Sequence, residues 1–114
     1  MLVKQIMTGD PATCARHQKL NDAAQQMWDH DVGAVPIVDE RGKAVGVITD
    51  RDICMAAYTQ GRLLSEIPLE AVMSQELLTV APKADVEVVR NLMGEHQVRR
   101  IVVVDRSGKP VGIV

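Results

Sequence analysis

The chain is one unit written twice, and this repeat limits what it can fold into more than any other feature. Met7 and Met73, Thr13 and Thr79, Met27 and Met93, His30 and His96, Asp39 and Asp105, Gly42 and Gly108, Lys43 and Lys109, and Gly46 and Gly112 all stand 66 positions apart without a gap (73 − 7 = 66). Chemically similar residues fall on the same offset: Leu20 with Val86, Ala23 with Val89, Val32 with Val98, Ile37 with Val103 and Val47 with Ile113. Turn glycines and apolar positions repeating together mean that each half builds the same supersecondary unit.

Each copy reads as the same string of elements. A short strand (12–15; 77–81) precedes a helix whose apolar residues in the first copy, Leu20, Ala23, Ala24, Met27 and Trp28, recur at helical spacing and predict one buried face. The second copy repeats the helix with Val86, Val89 and Met93 after Pro82, and Asn21 and Asp85 suit caps or first-turn positions. Two strands follow in each copy, 34–38 with 44–49 and 100–104 with 110–114. They are joined by DERGK or DRSGK, in which an Asp and a Gly three residues on mark a hairpin loop. Pro36 predicts a strand near a sheet edge or with a free N–H side. The first copy closes with a helix from Asp50 to about Gln60. The second reaches Val114, the counterpart of Ile48, so its closing helix is expected beyond the end of this sequence.

The stretch Lys43–Asp52 joins strand to helix through a Thr-x-x-Asp step. Thr49 and Asp52 stand at the helix N-terminus, where unpaired N–H groups and the positive end of the macrodipole favour anionic groups. The plainest reading is a capping box, with Asp52 in place of the usual Glu.

Composition narrows the function. A 114-residue chain that is 46% apolar suits a modest core, and with one Trp, one Tyr and no Phe that core is aliphatic. A formal charge of −2 and so few rings argue against nucleic acid as a partner. Cys14 and Cys54 show neither zinc-ligand nor disulfide spacing, so both are expected to be unpaired, core-facing thiols in a reducing compartment. His17, His30 and His96 are scattered, with no nucleophile or metal set beside them. The chain has no apolar run of about 18 residues and no signal-peptide pattern, so the expectation is a cytoplasmic protein without a membrane partner. Paired Asp residues (Asp39, Asp50, Asp52, Asp105) without accompanying chemistry do not make an enzyme.

Met7-Thr8 and Met73-Ser74, the Thr-containing first strands, GAVPIVD, RRIVVVD, GKAVGVITDRDI and GKPVGIV together resemble a tandem pair of cystathionine-β-synthase (CBS) domains, the Bateman module. The resemblance covers essentially the whole chain, as repeat 1 (1–62) and repeat 2 (63–114, lacking its closing helix). It implies an α/β (α+β) fold of two β-α-β-β-α units packed sheet to sheet around a pseudo-twofold axis, often paired into a disc-like homodimer. The function it implies is regulatory binding of an adenosine-containing ligand, AMP, ADP or ATP or less often S-adenosylmethionine, with no obligatory cofactor. A ligand-free dimerisation or scaffold domain of the same fold is the alternative, and an effector protein or attached domain would receive the signal.

On that resemblance the ligand cleft takes Thr49 and Asp52 from repeat 1, and Thr79, Val80 and Val98 around the adenine from repeat 2. Arg99 and Arg100 match positions that often hold phosphates. The chemistry agrees: a carboxylate accepts from both ribose hydroxyls, and arginine bonds phosphate with two donors. Asp50, turned about 100° from Thr49, is expected to face solvent. Gly33 and Ala34 stand where repeat 2 has Arg99 and Arg100, and the symmetric cleft, walled by Thr13, Cys14, Val32 and Gly33, would need an Asp after Val114 and is expected to be incomplete. Exposed apolar surface from the missing helix is expected to be covered in a homodimer.

Overall fold

The computed structural model describes residues 1–74 and 76–114. In chain order the regular elements are β1 (Thr8–Gly9), β2 (Cys14–Ala15), α1 (Leu20–His30), β3 (Ala34–Val38), β4 (Ala44–Thr49), α2 (Asp50–Gln60), β5 (Thr79–Val80), α3 (Val86–His96), β6 (Val102–Val104) and β7 (Pro110–Ile113). One sheet has the order β2-β3-β4 and the other β1-β7-β6-β5. Within each, the first strand of the repeat lies parallel to the second, and a hairpin supplies the third.

The hairpins form where Asp and Gly required them. Asp39 Oδ1 accepts from the N–H groups of Arg41 and Lys43 at 2.9 and 3.0 Å, and Asp105 Oδ1 accepts from Ser107 and Lys109 at the same distances. Gly42 and Gly108 follow at φ 79° and 84°, a region costly for any residue with a Cβ. The backbone donors aimed at Asp39, that of Lys43 foremost, hold its carboxyl below the ordinary carboxylate range.

Each repeat closes over its own aliphatic core. In the first, Leu20, Ala23 and Met27 of α1 and Ile53 and Ala56 of α2 meet Val35, Ile37 and Ile48 of the sheet; in the second, Val89 of α3 meets Val80, Ile101 and Val103. The chain does not divide as its cores do. Val3, in a 3-10 turn at Val3–Gln5, is buried in the second repeat's core, while Leu69, its counterpart in the turn Leu69–Ala71, is buried in the first. Val3 N donates to Ala84 O at 2.8 Å, and Leu69 N donates to Gln18 O at 2.8 Å, the same bond moved by 66 residues. β1 then pairs antiparallel with β7, and Ser74 bridges to Val47 on β4. The repeats have exchanged their leading segments, and this makes the second sheet four-stranded.

Glycine is required where the exchanged segments cross the sheets. A Cβ at Gly46 would lie 2.7 Å from Met73 Sδ and 3.0 Å from Ser74 O, and one at Gly112 would lie 2.5 Å from Met7 Sδ and 3.0 Å from Thr8 O. The hairpin loops of the two repeats also touch, with Ala44 N donating to Gly108 O at 2.9 Å.

Two expectations need correction. Trp28 is 87% exposed, because it sits about 80° around α1 from Leu20, past the edge of the buried stripe. Cys54 is exposed, since α2 buries Ile53 and Ala56 and turns the residue between them outward; only Cys14 is a core thiol. Asn21 stands in the first turn of α1, where Asp22 Oδ2 accepts from Lys19 N at 2.9 Å, and Asp85 caps α3 by accepting from Glu87 N, as expected. Pro36 lies on the middle strand, but β2 pairs only with Ile37 and Val38, so the proline stands ahead of that ladder.

Candidate functional site

The 66-residue offset defines two equivalent places for a cleft between the repeats. The first begins where β4 passes into α2. Thr49 is the N-cap of α2, its Oγ1 accepting from Asp52 N at 3.2 Å, while Asp52 Oδ2 accepts from Thr49 N at 2.9 Å. Both are half-buried. The capping box is therefore formed, and Asp52 still has Oδ1 and spare lone pairs at a helix N-terminus.

The other residues expected in this cleft come from repeat 2. Thr79 is exposed on β5, whereas Val80 is buried in the second core, leaving its backbone as the part available to a ligand. Val98 packs half-buried against the same core. Arg99 and Arg100 are exposed on the segment between α3 and β6. Arg100 Nη1 donates to Arg99 O at 3.2 Å.

The open volume lies in the second cleft. A cavity of about 360 Å³ is lined by Ile6, Thr8, Pro11 and Ala12 of the exchanged leading segment, by the turn Asp31–Ala34 that enters β3, and by Arg100, Ile113 and Val114 of repeat 2. That size suits a small ligand. Of the residues expected to bind a ligand, Arg100 alone lines it. Val32 and Gly33 stand in its wall as the reading of the symmetric cleft had them, while Cys14 is buried in the first core.

Gly33 and Ala34, the repeat 1 counterparts of Arg99 and Arg100, stand in the cavity wall with little or no side chain. A Cβ at Gly33 would lie 3.2 Å from Asp50 Oδ2 and 3.9 Å from Arg100 Nη2. Asp50 and Arg100, one from each repeat, thus flank Gly33 beside the cavity. Asp50 is exposed, as its helical position required, and its backbone N–H extends the β3–β4 ladder by donating to Gly33 O at 3.0 Å. Ile6, Thr8 and Ile113 were not anticipated here. The repeated Met-Thr and Met-Ser pairs were the available signal, since they mark the segments that cross.

The chain matches the family model described as CBS domain twice, over residues 3–58 and 69–114. It is 42% identical over 112 residues to the CBS domain-containing protein YhcV of Bacillus subtilis (strain 168), covering 98% of this chain and 78% of that one. It is 37% identical over 113 residues to YlbB of the same organism, covering 98% and 75%. Among solved structures it resembles the CBS domain pair of protein MJ0100 in complex with 5′-methylthioadenosine and S-adenosyl-L-methionine. There the TM-score is 0.89 at 32% identity, over 100% of this chain and 88% of that one.

Proposed function

The chain belongs to the CBS-domain family, and from that premise we propose that it is a regulatory module binding an adenine nucleotide, AMP, ADP or ATP, in a cleft between its two repeats. The observation that carries this reading is the α2 capping box, which engages only Oδ2 of Asp52 at a helix N-terminus, in the fold that the MJ0100 domain pair has in complex with two adenosine-containing ligands. In the Asp52 cleft, Asp52 accepts from the ribose hydroxyls through the oxygen its cap leaves free. Thr49 and the α2 N-terminus face a phosphate oxygen, and the backbones of Thr79, Val80 and Val98 border the adenine. Arg99 supplies phosphate charge to this cleft, and Arg100 stands where it can serve the other. No cofactor is obligatory in this scheme.

The acids are otherwise engaged for catalysis. Asp39 and Asp105 hold hairpin loops, Asp52 caps α2, and Asp50 Oδ1 accepts from Arg51 N at 2.8 Å. We read the chain as a sensor that passes its state to an effector protein or attached domain, with neither nucleic acid nor a membrane as partner and the cytoplasm as its place. No helix among the described residues is long and apolar enough to cross a membrane.

The homodimer belongs to the same proposal. Trp28 on α1 and Tyr58 on α2, the only Trp and Tyr of a chain without Phe, are 87% and 84% exposed, and Met55, one turn before Tyr58, is also exposed. A helical face carrying rings that the core does not use fits a second copy of this chain. The scaffold reading draws on that same face and on the completed capping box, and it dispenses with the ligand. Calorimetry against adenosine, AMP, ADP and ATP decides between them: saturable binding of at least one supports the sensor, and no heat at millimolar ligand leaves the scaffold. Light scattering at micromolar protein should give twice the mass of one chain, and a single-chain mass would remove the dimer.

A further inference from the structure

A further opening lies away from the inter-repeat cavity, where the exchanged leading segment crosses repeat 2. It measures about 380 Å³ and is lined by Lys4, Ala81, Pro82, Lys83, Val104 and by Asp105 with Arg106. Its floor is apolar, from Ala81, Pro82 and Val104 and the aliphatic stems of the two lysines. Its charge is not balanced. Three cations border it, and none of them lies within ion-pair distance of a carboxylate among the described residues. The one acid, Asp105, already accepts two loop N–H groups.

The repeat provides an internal control. Shifted by 66 residues in the appropriate direction, Lys4, Lys83 and Arg106 correspond to Glu70, His17 and Glu40, and Glu40 there is paired with Arg16 at 3.5 Å. The same place on the same scaffold thus carries two acids and a histidine in repeat 1 and three cations without an ion-pair partner among the described residues in repeat 2. The neighbouring backbone bond is common to both, Val3 N to Ala84 O and Leu69 N to Gln18 O, and in repeat 2 Lys4 N also donates to Pro82 O at 2.9 Å, which fixes the two lysines in register.

From this cavity and its reversed charge we propose a second ligand site, specific to repeat 2, for a phosphate monoester carrying a compact apolar body. Three cations and one acid leave two positive charges, which match the near-dianionic phosphate of a monoester at neutral pH. The apolar floor takes the body, and Lys4, Lys83 and Arg106 take the phosphate. Because Lys4 arrives on the leading segment and the other two belong to repeat 2, an occupant ties that segment to the second sheet. The site is independent of the adenine-nucleotide reading.

Phenyl phosphate is the probe, followed by amide chemical shifts of the isotope-labelled chain. Saturable shifts are expected at Lys4, Lys83 and Arg106 with none at His17 and Glu40, and with inorganic phosphate weaker and phenol without effect. The double variant Lys83→Met, Arg106→Met keeps the stems and should bind about tenfold or more weakly, from the loss of two charge-assisted contacts. Lys4→Met, which leaves repeat 2 untouched, should show a smaller loss in the same direction. Asp52→Asn should bind phenyl phosphate as the wild type does. Shifts centred on Arg99 and Arg100, equal binding by both Met variants, or no saturation up to about 10 mM, on the scale of affinities too weak to matter, would overturn the site.

Discussion

The Asp52 cleft and the Gly33 cleft occupy equivalent places in the two repeats, but motif and volume have separated between them. On one side stands the Thr-x-x-Asp step of the α2 cap; on the other, Gly33 and Ala34 border a cavity of about 360 Å³ that Arg100 lines. The lesson is physical. A pseudo-twofold scaffold fixes where two pockets can be, while a few side chains decide which one is chemically dressed and which one is empty enough to fill. In such a protein the residue that makes a pocket can be the one with no side chain.

The sharpest way to break this comparison is Asp52→Asn. If the dressed cleft is the binding cleft, losing the charge that faces the ribose should weaken nucleotides by about ten- to a hundredfold, or 1.5–3 kcal/mol, while Asp50→Asn changes little. Because Asp52 also completes the α2 cap, thermal unfolding must accompany the calorimetry. A cap cost of about 1 kcal/mol belongs to stability rather than affinity. Unaltered binding by Asp52→Asn would move the ligand to the Gly33 cleft.

A next, smaller effect separates the arginines. Arg99→Ala should weaken ATP and ADP several-fold and spare adenosine, with the loss shrinking at high salt, from the usual worth of partly screened charged contacts. If Arg100→Ala alone does this, the phosphates lie in the cavity. Gly33→Val offers the complementary block. Its neighbours are the flexible, exposed ends of Asp50 and Arg100, so stability should fall by only about 1 kcal/mol. Nucleotide binding should survive if the Asp52 cleft is used and vanish if the cavity is.

The smallest effect compares the two cysteines. Cys54 should react with a thiol reagent in native buffer and Cys14 only on unfolding. Burial, reinforced by the charge of Asp22, pushes the Cys14 thiol up from 9.0 to about 11. The folded state therefore holds the proton more tightly than the unfolded one. That contribution to stability is complete below about pH 9 and is lost as the pH rises toward 11, which denaturant titrations at stepped alkaline pH on wild type and Cys14→Ala should reveal. Equal labelling of both thiols would refute it.

Local structure was legible because local chemistry sets it. Both strands of the first hairpin and the helix Asp50–Gln60 stand where the patterns put them, and the loop acids Asp39 and Asp105 bond the backbone as Asp-x-x-Gly requires. The resemblance to a CBS pair was equally legible, since it rests on many positions at once. What escaped was non-local. β1 is two residues long and pairs more than a hundred residues away with Ile113 and Gly112, which leaves no periodicity to read. Trp28 and Cys54 sit beside buried stripes, where apolar identity says nothing about direction. The cavity's position depended on glycine at 33 and on the reach of Arg100 across the repeats.

The exchanged leading segments also shape how the chain can reach its fold. The first core is complete only once Leu69, beyond repeat 1, has been added, and the second must recover Val3 from the opposite end of the chain, with a side chain of this kind worth roughly 1.5–3 kcal/mol when buried. Closing such long loops is entropically expensive before any contact repays it, and it slows folding as contact order rises. A ribosome that has released only repeat 1 has therefore released an unfinished object. Two units that look separable on paper should appear and disappear as one cooperative body.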